Sequence, residues 1–558
     1  MQLDLSSHGE LPISDSILID ELAPRVQNGY NQFTEQLVKD NDLRGLDLLL
    51  TVCSRNPHQS KILPVLCKAF LLEEKIRRGD RITLVIVEDY LMSDIARSIL
   101  SKHNQNIPIK VNHKRNYISQ SLLNFSRFLK AVYWVVLNWF WPRITGIYKD
   151  RPNEPIVFVD NFVLCNSFTK ENKFIDRYYT GYDNFLSKKQ KKKIWYSPTL
   201  SGFKTLGQCL KMSIQSKKSY SNFLFQESWL TLGNYIHALY LTIILPSKLK
   251  SIPLFMGYNI HQLVISELKK DIFSLSLVEA ICKFKFIRNL KREGVEICQA
   301  VDWHENQNID KALNLGFHRY YPGLLIKGYQ GYVSPSYEVH KIPQPYEIKS
   351  GVLPDQMHII SEGSKRLMLK TCPSLDVRVS MAFRFSYLYE IVRKGADLKI
   401  PIVLIALPIS ISQSNDILSA CSHLHKLVDM KIKILVKHHP VYNSNSFSKK
   451  VPEFRNTAFV PTNESVSDLL ESVSLLISSA SSICVEAESL GVPVAIYGNR
   501  YGVTMNPMIN TEDNIFYSQK QLGKFINNFF EKGLKKSCAK NFFFVDNGES
   551  AHELFICN

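Results

Sequence analysis

Four short runs in the last third of the chain constrain the fold most. They are Ile402–Leu407 (IVLIAL), Lys431–Lys437 (KIKILVK), Leu475–Ser478 (LLIS) and Pro493–Tyr497 (PVAIY). Val, Ile, Leu and Ala dominate them, with no alternation of polar residues. A strand that is apolar on both faces must be covered on both faces, which is the condition of a parallel sheet between helices. The intervening segments fit helices: Gln413–Met430, and the stretch after Ser482 that ends at Leu490-Gly491. The result is a βαβαβ unit with right-handed crossovers.

The first third shows the same alternation. Leu46–Cys53 (LDLLLTVC) predicts a strand, followed by SRNPHQS and a helix through Lys75. Arg81–Glu88 (RITLVIVE) predicts a second buried strand and Ala96–Lys102 a helix. Ile156–Asp160 (IVFVD) is the next strand, and Asn161–Arg177 a polar loop beyond its carboxyl end. The chain is therefore expected to be α/β, with two Rossmann-like domains facing a cleft. The first spans 1–345 and the second 346–540, with a C-terminal tail, 541–558. Ligands of such sheets bind beyond the carboxyl ends of the strands.

Leu122–Trp141 (LLNFSRFLKAVYWVVLNWFW) stands apart. Arg127 and Lys130 interrupt it, so it is no membrane span. Asn124, Arg127, Ala131 and Asn138 recur at helical spacing. The segment fits either a core helix or a helix lying in a membrane interface. Lys188–Lys193 is a lysine run that could support such a contact or simply be a solvated loop. Lys+Arg number 68 against 51 Asp+Glu, a net charge of +17. That balance suits nucleic acid, anionic lipid or a phosphorylated substrate. No nucleic-acid-binding motif is present, so no nucleic-acid partner is expected. An anionic membrane surface stays in view.

The eleven Cys are scattered without a CxxC pair, which points to reduced cytosolic thiols rather than a zinc ribbon or a redox pair. The N-terminus lacks the basic and apolar regions of a signal peptide. The expected location is cytoplasmic, with peripheral contact to the inner face of the cytoplasmic membrane as an option.

Two constellations carry chemistry at the ends of neighbouring strands. Lys437-His438-His439-Pro440 ends one strand with cationic donors suited to a phosphate or a carboxylate. Ser478–Ser482 ends the next and opens a helix, where hydroxyls and unpaired N–H groups could receive an anion. Glu486 falls one turn into that helix, placed to accept bonds from a ribose. Each admits a plainer reading, a solvated basic loop and a serine N-cap.

KHHP followed by SSASSICVEAESLGVPVAIYG resembles the C-terminal domain of GT-B glycosyltransferases, above all bacterial sialyltransferases and Kdo transferases that use CMP-activated sugar acids. The resemblance implies an HP motif at His439-Pro440 and a serine motif at Ser481-Ser482. WHENQNIDKALNLGFHRYYPGLLIKGYQGY (303–332), PSYEVHKIPQPYEIKSGVLPDQMHIISEG, FIDRYYTGYDNFL (174–186), AFRFSYL (382–388) and LDLLLTVCSRNPHQS resemble bacterial surface-carbohydrate biosynthesis proteins, a glycosyltransferase group. One departure is His304, which separates Trp303 from Glu305 where the group has an aromatic residue directly before Glu-Asn-Gln.

This likeness implies a nucleotide-sugar donor, CMP-linked above all, and a glycan or lipid-linked acceptor. Glu305 is the first catalytic candidate and Asp302 the second, as general base or as nucleophile. Asp176 is a lesser candidate on the acceptor side. Lys437, His439, Ser481 and Ser482 would hold the CMP phosphate. Arg384, an Arg among aromatics, either pairs with a structural carboxylate or clamps a donor carboxylate or phosphate. Tyr497–Gly502 carries glycines that would let backbone approach a phosphate, and Asn506 follows in the same loop. No cofactor and no metal are expected, since the only DxD, Asp40-Asn41-Asp42, is isolated. Two alternatives remain open: a sugar-nucleotide epimerase or hydrolase on the same fold, and a non-catalytic basic membrane-associated scaffold.

Overall fold

The computed structural model describes residues 1–112, 117–147, 151–391, 400–427, 431–479, 481–508, 514–532 and 542–557. Its strands form three parallel sheets. A small one joins β1 (Gln2–Asp4), β2 (Leu84–Val87) and β3 (Ile109–Val111). The first large sheet has seven strands: β4 (Ile156–Val163), β5 (Ile194–Leu200), β6 (Asn222–Phe223), β7 (Ile297–Trp303), β8 (Ile326–Gln330), β9 (Gln356–Ile359) and β10 (Asp376–Val379). Its spatial order is β10-β9-β8-β7-β4-β5-β6. The second has six: β11 (Ile402–Ala406), β12 (Lys433–Lys437), β13 (Phe459–Pro461), β14 (Leu475–Ser478), β15 (Val494–Tyr497) and β16 (Ile515–Phe516), in the order β13-β12-β11-β14-β15-β16.

Both large sheets follow one rule. The chain starts in the middle, builds outward in one direction, then returns to the other side of the starting strand. This is the doubly-wound order, and the reversal leaves a crevice beside the starting strand. The reversal falls between β4 and β7 in the first sheet and between β11 and β14 in the second. The expected pair of Rossmann-like domains is present, as in the GT-B architecture.

The expected boundaries are corrected. Residue 345 lies inside the first sheet, because β9 and β10 belong to it. Residues 542–557 are no loose tail. The helix Glu549–Phe555 returns to the first sheet. There the Phe555 ring lies 4.2 Å from Tyr182, Gln299 Nε2 donates to the Leu554 carbonyl, and Ser550 Oγ accepts the Met381 N–H at 2.8 Å. Cys298 and Cys557 are joined as a disulfide, which corrects the expectation of thiols throughout at this pair. The fold brings together two cysteines 259 residues apart, a juxtaposition that spacing alone does not reveal.

Leu46–Cys53 is also corrected. It forms a 3-10 turn, Gly45–Leu49, and a helical turn, Thr51–Ser54. A short, wholly buried apolar run fits strand or helix equally. Here Asp47 takes the Arg44 N–H, and Asp271 takes the Thr51 N–H at 3.0 Å, which settles the helical form. The strand expected at Arg81–Glu88 exists as β2, but in the small sheet. That sheet packs with the helices Ile13–Asp40, Ile62–Arg77 and Tyr90–Lys102 into a core shared with the helices of the first large sheet.

One buried ion cluster joins these layers. Glu347, from the short helix Pro345–Lys349, meets Arg55 Nη2 at 2.8 Å and Lys311 Nζ at 2.7 Å, and all three side chains are fully buried. Arg55 also donates to the carbonyls of Val339 and Ile342, and Asn306 Nδ2 to the His340 carbonyl. Burial works against the Glu347 charge, but the Arg55 and Lys311 cations outweigh it and lower its pKa to about 2. Removing one member leaves unpaired buried charge. Glu347→Gln should therefore destabilise the protein by about 3–5 kcal/mol in denaturant unfolding. Because the folded pKa lies below the ordinary carboxyl value, the Glu347 contribution is complete above that value and is lost as pH falls towards about 2. The variant should lose this part of the acid dependence.

Candidate functional site

The site is built at the two reversal points. In the first sheet, Val159 of β4 pairs with Val301 of β7, so Asp160 and Asp302 come side by side. Asp160 meets Lys283 Nζ at 2.6 Å, from the helix Leu275–Arg292, and the same ammonium lies within 3.4 Å of the Ser197 and Thr199 hydroxyls on β5. Asp302 Oδ2 accepts from Asn314 Nδ2 at 2.9 Å and lies 2.8 Å from His304 Nδ1. Asp310 caps the helix Asn308–Tyr320 by accepting the N–H groups of Glu305 and Gln307. Oxygens of Asp160, Asp302 and Asp310 lie within 4.8 Å of one another, the one group among the described residues with the spacing of a cation site. The Lys283 ammonium supplies positive charge there. Burial first, then the neighbouring carboxylates, push Asp302 and Asp310 well above the ordinary carboxyl range. Asp302 is wholly shielded from solvent.

Glu305 differs from its neighbour in every respect. Its carboxylate accepts from Trp303 Nε1 at 2.9 Å, Gln307 Nε2 at 2.7 Å and Lys341 Nζ at 3.0 Å. Burial opposes its charge, but Lys341 and these hydrogen bonds outweigh that and hold its pKa below the ordinary value. Its side chain keeps 24% exposure. Of the two carboxyls singled out in the sequence, Glu305 is therefore the ionised and reachable one, and Asp302 acts behind it on His304. Asn306, at φ 53°, turns the chain from β7 into the next helix.

His304 was visible in the sequence only as a departure from a motif. The structure places it at the crevice with Nδ1 on Asp302 and Nε2 buried without a hydrogen-bond partner. Burial lowers its pKa to about 4, so the ring is neutral at physiological pH. Gly328 on β8 makes room for it: a Cβ there would stand 3.2 Å from the His304 Cβ and 2.5 Å from Pro354.

In the second sheet, Lys437 ends β12 and donates to the Glu464 carbonyl. His438 is structural: it bonds Ser444 Oγ at 3.0 Å and stacks on Phe447. His439 is half-buried, and its Nδ1 takes the Val441 N–H. That leaves the proton of the neutral ring on Nε2, available to an anion. Ser478 Oγ bonds the Ala406 carbonyl across the reversal point at 2.8 Å, and Ser479 Oγ is buried without a partner. Ala480 lies outside the described residues. Ser481 follows. Ser482 Oγ donates to Glu486 at 2.9 Å, and Tyr387 OH donates to the same carboxylate. Glu486 is thus engaged by the protein itself, and the Ser482 hydroxyl serves it rather than capping the helix Ile483–Ser489.

Arg384 is exposed, its guanidinium over the Phe385 ring. Burial raises the pKa of Glu486 and of Tyr178, and the Arg384 charge opposes both shifts. At Gly498 a Cβ would meet the Tyr517 ring at 2.2 Å, so the close approach there is to Tyr517. The loop after β15 docks on the N-terminal helix through Thr504 N–H to Asp20 and Arg500 to the Leu11 carbonyl. In that loop Asn506 accepts the Met508 N–H, forming a local turn.

Asp176 lines a separate cavity of about 810 Å³ with Phe174, Tyr179, Tyr182, Tyr196 and Lys218. The Tyr178 and Tyr179 N–H groups bond its Oδ1, and burial raises its pKa to about 6. Tyr178 and Tyr179 both pack on Trp303, so this cavity adjoins the crevice from the far side of the Trp303 ring.

No protein-family model and no curated protein matches the chain. Solved structures match at the level of fold. They include S. aureus MnaA with UDP (11% identity, 72% of this chain, 95% of that chain, TM-score 0.41). A UDP-N-acetylglucosamine 2-epimerase aligns over 72% and 94% at 11% identity (TM-score 0.39). The lipopolysaccharide outer core galactosyltransferase WaaB, in its apo form, aligns over 72% and 98% at 11% identity (TM-score 0.37). At these values the likeness says nothing of this chain's ligands.

The His304 environment has a direct readout. In an NMR pH titration of the folded protein, the His304 ring should stay neutral and titrate near pH 4. A midpoint near 6.5 would show that the ring is open to water.

Proposed function

We propose that this protein is a glycosyltransferase of bacterial surface-polysaccharide assembly. It would transfer a sugar acid such as Kdo from a CMP-activated donor to a glycan or lipid-linked acceptor. The observation that supports it best is Glu305, an ionised carboxylate partly open to solvent beyond the end of β7, with the exposed Arg384 in the segment after β10. An exposed guanidinium suits a donor that carries a carboxylate as well as a phosphate.

In this reading Lys437 and the Nε2–H of His439 receive the phosphate, with Ser479 and Ser481 as further hydroxyl donors. Departure of the nucleotide leaves an oxocarbenium-like centre. A carboxylate held at low pKa is a weak base, so Glu305 serves better as an ionised partner of that centre, or as its nucleophile, than as a proton acceptor. Asp302 is a positioning residue, acting through His304. Asp176 belongs to the acceptor side. The reaction needs neither cofactor nor metal in this scheme, because the leaving phosphate meets Lys437 and His439.

Calorimetric titration with CMP, UDP and GDP tests the donor. CMP should bind selectively, and His439→Ala should weaken it by about ten- to a hundredfold, the weight of one hydrogen bond to a charged group. A preference for UDP or GDP overturns the CMP assignment. Glu305→Gln should abolish transfer while leaving CMP affinity unchanged. Donor consumed at full rate with no acceptor present would replace transfer by the epimerase or hydrolase alternative.

A further inference from the structure

The helix Tyr117–Thr145 is apolar on two faces. One face packs on the protein: Ala131, Val135, Leu137, Asn138 and Trp141 are buried, and Arg127 donates to the Lys269 carbonyl and to Asn124. A second apolar face points out. Leu122, Phe125, Leu129, Tyr133, Val136, Phe140 and Ile144 succeed one another at steps of three or four, a single helical stripe, and each is 44–63% exposed. At 1.5 Å per residue the stripe is about 33 Å long. The contacting helix Leu232–Ser247 repeats the pattern with Leu232, Ile236, Tyr240 and Ile243 outward, and is joined to the first by the Trp134–Tyr235 ring contact. On the other flank the helix Leu206–Lys218 adds exposed Ile214.

A monomer rarely leaves so long an apolar face to water. The charges around it identify its occupant. Residues 117–145, 206–218 and 232–247 contain no Asp or Glu. They contain Arg127, Lys130, Arg143, Lys211, Lys217 and Lys218. Lys217 Nζ donates to the Thr145 carbonyl, which sets this basic flank against the end of the stripe. Among the described residues no helix is long and apolar enough to cross a membrane. A face of apolar side chains with a rim of one sign is what an interfacial segment presents to lipid: rings and aliphatic chains enter below the headgroups while the cations stay at their level.

We propose that the helices Tyr117–Thr145 and Leu232–Ser247 form a membrane-docking surface that lies in the plane of an anionic bilayer. Docking of this face does not depend on what the crevice binds.

Flotation of the full-length protein tests it, using phosphatidylcholine vesicles and vesicles in which about a third of the lipid is phosphatidylglycerol. The protein should float with the anionic vesicles, and binding should fall as salt rises from about 0.1 to 0.5 M. Phe125→Ser/Phe140→Ser should weaken partitioning about 100-fold, roughly tenfold for each ring withdrawn from the bilayer. Both side chains are open to solvent, so the fold should be kept, and an unchanged circular dichroism spectrum would verify this. Lys130→Glu/Lys211→Glu leaves the stripe intact and should remove the preference for anionic lipid. No flotation with either vesicle, or equal flotation with both, overturns the proposal. So does a concentration-dependent dimer that Phe125→Ser/Phe140→Ser dissolves in a protein that does not bind vesicles.

Discussion

Everything around the first reversal point depends on the buried charge cluster of Arg55, Lys311 and Glu347. Removing three ionised groups from water is costly, and the cost is met only if each finds its partner in good geometry. They do so only when four segments are in place: the turn after residue 54, the first turns of the helix Asn308–Tyr320, the 339–342 stretch and the short helix Pro345–Lys349. Apolar packing would tolerate a shift of a few tenths of an ångström among these layers. A fully buried ion pair does not. The cluster therefore fixes where the chain leaves β7, and with it the position of His304 and Glu305.

The same stretch holds two carboxyls three residues apart whose pKa values are pushed in opposite directions. Asp302 is wholly buried, with Asp160 and Glu305 adding repulsion, and its pKa is raised despite Asn314 and Lys283. Glu305 has Lys341, an indole N–H and an amide, and its pKa is lowered despite burial. Separation of this kind is how a site assigns different roles to chemically equal groups. It arises from geometry that places one side chain inward beneath the crevice and the other towards its mouth.

Much of this was legible in the sequence, and the limits are physical. The strands of the second sheet were readable because each is a continuous apolar run ended by a polar or small residue. Glu305, Lys437 and His439 could be singled out because polar clusters directly after such runs fall at carboxyl ends. Leu46–Cys53 was not readable, since wholly buried apolar turns carry no period. The boundary at 345 was placed wrongly because β9 and β10, with His358 and Arg378 among four residues each, lack the apolar runs of the inner strands. His304 gave no signal of its own: its importance lies in Asp302 and Gly328, and neither contact can be inferred from spacing. Helix 122–141 revealed its two faces but not which one points outward. That depends on what packs beside it.

The return of the last helix to the first sheet makes the second sheet an insertion. A ribosome releases the chain from one end, so the second unit can close as soon as residue 532 or so is clear of the exit tunnel. The first cannot. Gln299, Met381 and the Tyr182 ring wait for Leu554, Ser550 and Phe555, which follow the whole of the second sheet. The unit begun first is completed only after the second has been made.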